Sequence, residues 1–278
     1  MQLEEVGNKL SLKIKEIKDK GSKIIITFFD DSKLKISRPT FNNFIIVEGK
    51  ELDAKTKKDI ERFEEKEEIR KYIKVLVNKK PYTERELLKK AIGKFNDYHL
   101  VIEVVKELKV SHLIDDEEFV DNYLDYFDKN NYGQYFIINF FRSSGLKEEL
   151  IKKLDFDEEN EKRKALNYFD SIKNKFVSNN FAKQKKKIYD RMLQRGFNIT
   201  VILDVLNNLK INEKSEKERL RKDFKKAKMK YFITNDNQVD ANSKIVNKLI
   251  NKGYSLEDIN EIIESDEDFD ETKEELND

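Results

Sequence analysis

The sequence has no cysteine, which excludes a disulfide framework and a thiolate zinc site. Only two prolines and eight glycines occur in 278 residues. So few chain-breakers suit long helices joined by short turns and disfavour a sandwich or barrel. No apolar run approaches the roughly 20 residues a bilayer requires. The start, MQLEEVGNKL, is acidic and lacks an apolar stretch, so no secretory signal is expected. The chain reads as soluble and cytoplasmic, with no membrane partner. The loops GxxxxGK[ST], GxGxxG and GxSxG are also missing, and no catalytic constellation can be named. The expectation is a protein that is not an enzyme and carries no cofactor. Its two histidines, His99 and His112, have no cysteine partners and read as structural or surface residues.

What is present is a repeat. Lys187 to Leu206 reads KIYDRMLQRGFNITVILDVL, and Lys244 to Ile263 reads KIVNKLINKGYSLEDINEII. A shift of 57 positions places Ile188 on Ile245, Met192 on Leu249, Gly196 on Gly253, Phe197 on Tyr254, Ile202 on Ile259 and Val205 on Ile262. Such self-similarity marks an array of small helical units, which more often binds something long than turns over something small. With 38% hydrophobic and 40% charged residues, the chain suits several small cores rather than one large one.

The N-terminal stretch differs from the rest. SLKIKEIK spaces Leu12, Ile14 and Ile17 between lysines, SKIIITFF is β-branched and aromatic, and Asp30-Asp31-Ser32 turns into KLKIS. This predicts an antiparallel meander of three strands. Pro39 suits the start of a short helix through FNNFII, and Gly49 a break. From Asp53 the period is helical: Ile60, Phe63, Ile69, Tyr72, Ile73 and Leu76 form a stripe on a long helix that Pro81 should end. Thr83 to Glu86 is a capping box opening a second helix. A third runs from Leu100 to Leu108.

A second group opens at Asp115. Its first helix carries Phe119, Tyr123, Tyr126 and Phe127 and should break at Gly133. The next carries Ile137, Phe140 and Phe141 to Gly145, and a third takes Lys147 to Leu154. The predicted fold is mainly α: tandem three-helix repeats in a curved elongated array behind a small N-terminal antiparallel β meander. Its expected parts are a β-rich extension at 1–52, repeats at 53–113, 114–156, 157–211 and 212–264, and an acidic tail at 265–278 low in apolar residues and expected to be disordered. Gly145, Gly196 and Gly253 each follow a middle helix, where a left-handed residue suits glycine. They should build the curvature.

The net charge of +1 hides strong segregation. Lys162 to Phe232 holds 21 Lys/Arg against 7 Asp/Glu, whereas Glu257 to Asp278 holds 12 acids against Lys273 alone. Lys183, Lys185, Lys186, Lys187, Arg191 and Arg195 cluster on one helix. Arg219, Arg221, Lys222, Lys225, Lys226, Lys228 and Lys230 cluster on another. Sequence-independent, salt-sensitive contact with DNA phosphates is the functional expectation for these residues. The bland one is a solvated face in a chain rich in lysine because its coding genome is AT-rich. Asp115, Asp116, Glu117 and Glu118 read as a capped first turn rather than a metal site. Tyr82, Tyr123, Tyr126, Tyr132, Tyr135 and Phe136 read as packing rather than as base-stacking residues. The acidic tail reads as solubilising, with competition against DNA for the basic helices as the sharper alternative.

Several motifs together resemble the RecX family of RecA regulators. They are NKKPYTERELLKKA, then LIDDEEFV at Leu113 to Val120, then Tyr132-Gly133 through Ile137 to Gly145-Leu146, and MLQRGF in the third repeat. The resemblance runs from about Leu12 to Glu264 and includes the extension and fourth repeat of longer members. Three departures stand out: Phe95-Asn96 where glycine and an aromatic are expected, Val120 for alanine, and a long lysine-rich stretch from Lys173 to Lys187. Asn96 could still take a left-handed backbone. The resemblance implies a non-enzymatic, monomeric regulatory protein with two partners, the RecA recombinase filament and single- or double-stranded DNA. It implies a string of units lying in the filament groove and limiting ATP turnover and strand exchange in homologous recombination, DNA repair and the SOS response. The alternative is a helical-repeat DNA-binding protein acting without RecA.

Overall fold

The computed structural model describes residues 12–234 and 238–266. Most of the expected acidic tail, from Glu267 onward, and the first eleven residues of the extension lie outside the described residues. The chain divides into two compact units, Met1–Tyr123 with Phe141–Lys152 and Leu124–Phe140 with Lys153–Asp278. No helix among the described residues is long and apolar enough to cross a membrane.

The first unit begins with the expected meander: β1 (Ile14–Asp19), β2 (Lys23–Phe28) and β3 (Lys33–Ser37), antiparallel in the order 1-2-3. The pairing slips between Ile14 and Glu16, so Lys15 is an extra residue. That bulge reconciles the odd spacing of Ile14 and Ile17 with one inward face. Asp30 fixes the second turn by accepting from the Ser32 amide (3.0 Å) and hydroxyl (2.6 Å). Ile14, Ile24, Ile26, Phe28 and Ile36 form the sheet's core, together with Ile60 of the first long helix.

Ser37 caps α1 (Arg38–Asn43), in which Pro39 is the second residue. The helix stops before Phe44, which is extended, so FNNFII is only half helical. Asp53 caps α2 (Ala54–Val77) through the Thr56 amide, 2.7 Å away. Pro81 does not end this helix. A tight turn at Asn78, with the Lys79 amide on the Leu76 carbonyl, closes it first. The apolar stripe on α2 is shared between two cores: Ile60 joins the sheet, while Ile69 and Ile73 pack with α3 (Glu84–Ile92) and α4 (Tyr98–Val110). The Thr83–Glu86 capping box forms with both bonds at 3.2 Å. Helices α5 (Asp116–Lys129) and α6 (Gln134–Ser143) follow and cross the division between units; α7 (Glu148–Ile151) is a single turn, shorter than expected.

The second unit continues with α8 (Glu158–Ile172), a 3-10 turn at Lys173–Phe176, α9 (Phe181–Gln194) and α10 (Ile199–Leu206). These share one core around Phe169, Ile188, Met192, Phe197 and Ile202. A separate core around Leu220, Phe224, Ile245, Leu249 and Ile259 serves α11 (Glu213–Thr234), α12 (Gln238–Lys252) and α13 (Leu256–Glu264).

The repeated glycines end α6, α9 and α12 at φ +78, +88 and +95. In each case the following residue (Leu146, Phe197, Tyr254) is buried and donates back to the carbonyl of Phe141, Met192 or Leu249, a paired hydrogen-bonded turn. The same turn, with a non-glycine residue in the left-handed position, ends α4 at His112 (φ +54) and α5 at Asn131 (φ +53). Gly133 therefore does not break α5. Nor does Asn96 end α3 in a left-handed turn, because no non-glycine residue there has positive φ.

Contacts between successive helix groups explain these assignments. Each glycine faces the start of the preceding group's middle helix. A Cβ on Gly145 would lie 2.3 Å from Arg85 Cδ, one on Gly196 2.2 Å from the Phe136 amide nitrogen, and one on Gly253 2.5 Å from Ala182 Cβ. The carbonyl just before each glycine accepts a bond from that middle helix's cap: Ser144 from the Thr83 hydroxyl (2.6 Å), Arg195 from the Gly133 amide (3.0 Å) and Lys252 from the Asn180 side chain (2.7 Å). Gly133 is fitted to this joint, since a Cβ there would meet the Gly196 carbonyl at 2.3 Å.

A carboxylate completes each joint. The amide opening α3 donates to Asp116 (Glu84 N, 2.8 Å), that opening α6 to Glu161 (Gln134 N, 2.9 Å) and that opening α9 to Glu216 (Phe181 N, 2.8 Å). The sheet and α1 are fastened alike, with the Ser37 amide on Glu64 at 2.7 Å. An anion at a helix N-terminus stabilises it by about 0.3–2 kcal/mol. The first group's middle helix, α3, has no preceding helix of this kind to meet its end, so no glycine is needed at Phe95-Asn96.

Candidate nucleic-acid interface

The third joint, between α9 and α12, lies beside a groove of about 730 Å³ within the second unit. Lys183 and Lys186 reach it from α9, Arg219, Lys222 and Lys226 from α11, and Lys252 from the end of α12. Asn179, Asn180 and Asn251 add amides, and Asp223 is the one acid among the residues lining it. Helical spacing explains the convergence. Lys183 and Lys186 are three apart, and Lys222 and Lys226 four apart, so each pair shares a face. Lys183 also lies in the first turn of α9, where its charge opposes the helix dipole and favours a bound anion.

The joint holds the groove's walls. Asn180 is buried and ties α9 to the Lys252 carbonyl, while Glu216, buried on α11, accepts from Phe181. Asp223 is paired with Lys252 at 2.7 Å and accepts from the Tyr254 hydroxyl at 3.0 Å. Burial alone would push the Asp223 carboxyl up, but these two bonds outweigh it and hold the group below the ordinary value, so it stays ionised. Burial, and then Asp223, push the Tyr254 hydroxyl upward. It remains a neutral donor.

Of the thirteen cations expected from the sequence, Lys230 stands over the Tyr231 ring at 5.6 Å, and the other twelve separate. Lys183, Lys186, Arg219, Lys222 and Lys226 line the groove. Arg219 is also fastened, to the Val177 carbonyl (2.5 Å) and Glu216 (3.1 Å). Lys185, Arg191, Arg221 and Lys225 are exposed but outside it; Arg221 and Lys225 point about 100° away from Lys222 and Lys226 around α11. Three others are engaged elsewhere. Lys187 bonds Asn179 at 3.1 Å over the Phe176 ring, and Lys228 pairs with Asp266 at 2.7 Å. Arg195 lies 3.6 Å above the Tyr132 ring, beside Tyr168, and donates to the carbonyls of Asn130 and Asn131. Lys252, the repeat equivalent of Arg195, is the cation that sequence reasoning missed. Its signal was present as NKG aligned with QRG.

The other candidates have structural places. Asp115 caps α5 by accepting from Glu117 (2.8 Å) and Glu118 (3.2 Å), bonds that hold its carboxyl below the ordinary range. Asp116 serves the first joint. Tyr132 packs on Phe136 at 4.4 Å, whereas Tyr126 and Tyr135 are half exposed. Among the described residues no set of carboxylates and histidines is grouped to hold a metal ion.

Fold and groove together define a helical-repeat protein with a cationic groove beside one of its joints. Comparison with known proteins is more specific. The regulatory protein RecX of Streptococcus agalactiae serotype Ia is 23% identical over 264 residues, which cover 89% of this chain and 97% of that protein. The regulatory protein RecX of Bacillus subtilis is 26% identical over 175 residues, 60% of this chain and 65% of that protein. A crystal structure of regulatory protein RecX matches with a TM-score of 0.56 at 18% identity, covering 70% of this chain and 99% of that one. No family model matches the chain. The resemblance to the RecX family drawn from the motifs thus extends over most of the chain in sequence, and the crystal structure shares the fold.

Proposed function

We propose that the chain is a cytoplasmic, monomeric regulator of the RecA recombinase. It binds the RecA–DNA filament and lowers its ATP turnover and strand exchange in recombination and repair. The groove formed by Lys183, Lys186, Arg219, Lys222, Lys226 and Lys252 contacts DNA phosphates at this filament. The observation that carries the reading is this convergence of six cations on one groove, in a chain whose relatives over most of its length are named regulatory protein RecX. A groove lined by cations and amides suits sequence-independent phosphate contact, and no base-reading element is required of it.

The groove alone also supports the second reading, a repeat protein that binds DNA without RecA. A titration of DNA-dependent ATP hydrolysis by RecA separates the two. A filament regulator suppresses hydrolysis well below the concentration that coats the DNA. Suppression that begins only near DNA saturation would favour the plain DNA binder instead, and no effect at any concentration would remove the regulatory reading.

A further inference from the structure

We propose that the acidic residues 267–278 dock in the cationic groove of the same chain and occupy it when nucleic acid is absent. Of the groove's six cations, Lys252 is paired with Asp223 and Arg219 with Glu216, so Lys183, Lys186, Lys222 and Lys226 supply its unbalanced positive charge. Residues 267–278 hold seven carboxylates against Lys273, a net charge of −6. The two are complementary in sign.

The start of this segment is fixed close by. Asp266, the last described residue, is paired with Lys228 at 2.7 Å, and the Ser265 amide donates to the Glu261 carbonyl at the end of α13. Lys228 belongs to α11, the helix that also contributes Arg219, Lys222 and Lys226 to the groove. Lys228 and Lys226 project from nearly opposite sides of that helix, separated by two residues or about 200° of turn. The segment must therefore cross a helix about 10–12 Å wide. Twelve residues extend to about 40 Å, so most of the segment remains to lie along the groove. Because the segment and its anchor belong to one molecule, docking is unimolecular and its effective concentration is in the millimolar range. A weak electrostatic contact is then enough to occupy the site at low salt.

Docking itself requires only the groove. Its consequence, competition with nucleic acid, rests on the function proposed above. The chain would then exchange its own carboxylates for phosphates, and would engage phosphate arrays dense enough to displace them while rejecting isolated ones.

The test uses two full-length chains. In one, the tail is neutralised by Glu267→Gln, Asp268→Asn, Asp270→Asn, Glu271→Gln, Glu274→Gln and Glu275→Gln; the other is unaltered. A fluorescent peptide of residues 267–278 is titrated into each at low salt and followed by anisotropy. The expected result is at least tenfold tighter binding to the neutralised chain, since its groove is vacant, with the gain lost on adding Lys186→Glu and Lys222→Glu. Equal peptide affinity for the two chains, or a gain that survives the groove substitutions, overturns the proposal. Binding of duplex and single-stranded DNA is measured on the same samples. If neither chain binds DNA while the peptide result stands, the nucleic-acid function fails and docking is upheld.

Discussion

The backbone amide of Phe181 donates to the carboxylate of Glu216 at 2.8 Å, so α9 starts on an acid supplied by the next helix group. Glu64, Asp116 and Glu161 repeat this arrangement at the three other places where one part of the chain meets the next. The acid in each case satisfies a helix N-terminus that would otherwise be left with open donors. Glu216→Ala removes the acceptor of Phe181 and the partner of Arg219 together. A loss of roughly 1–3 kcal/mol is expected in urea unfolding, because two half-buried donors lose their acceptor. A loss below about 0.5 kcal/mol, typical of an exposed surface change, would show that this bond does not hold the joint.

The glycines can be ranked in the same assay. Gly196 has φ +88, and a Cβ there would fall 2.2 Å from the Phe136 amide nitrogen; Gly21 has φ +77 with nothing within 4 Å. Gly21→Ala should therefore cost only the backbone penalty of about 1–2 kcal/mol. Gly196→Ala adds a steric conflict with backbone and should cost roughly 3 kcal/mol or more. Equal costs for the two would mean that the close approach at Gly196 is relieved without strain.

Glu64 predicts an acid-sensitive first unit. Burial pushes its carboxyl up, but bonds from Lys23 (2.6 Å), the Ser37 amide (2.7 Å) and hydroxyl (2.7 Å), and Thr40 (2.6 Å) outweigh this and hold it below the ordinary 4.5. A depressed folded value means the stabilisation is complete above pH 4.5 and disappears as pH falls through the folded value. The urea midpoint of the unaltered chain should then fall more steeply below pH 4.5 than that of Glu64→Gln, while Glu64→Gln is the less stable of the two near pH 7. Parallel curves for the two chains would show that Glu64 has no part in acid sensitivity.

Much of the fold was legible in the sequence because helical and strand periods and capping residues act locally. The meander, the Thr83–Glu86 box and the glycine-aromatic turns were read correctly for that reason. The joints were not legible. Their donors are a hydroxyl at Thr83, a backbone amide at Gly133 and a side-chain amide at Asn180, which share no residue type. Their carboxylates are spaced unevenly and lie among many other acids. Arg195 shows the limit for the site. In sequence it is one cation among thirteen, and only its placement over Tyr132 separates it from Lys186 or Lys222. Likewise the stripe on α2 was visible, but not its sharing between the sheet and the core of α2–α4, which depends on residues distant in the chain.

The most direct test of the account is the salt dependence of DNA binding by the unaltered chain, by Lys183→Ala/Lys186→Ala/Lys222→Ala, and by Arg195→Ala. Each lost phosphate contact should lower the slope of log K against log salt by about 0.7–0.9, so the triple variant should lose about 2–3 units of slope and bind more weakly at low salt. Arg195→Ala should destabilise the fold by roughly 1–3 kcal/mol through its lost carbonyl bonds and stacking, yet keep the slope of the unaltered chain. An unchanged slope and affinity in the triple variant would contradict the assignment of the groove as the DNA contact.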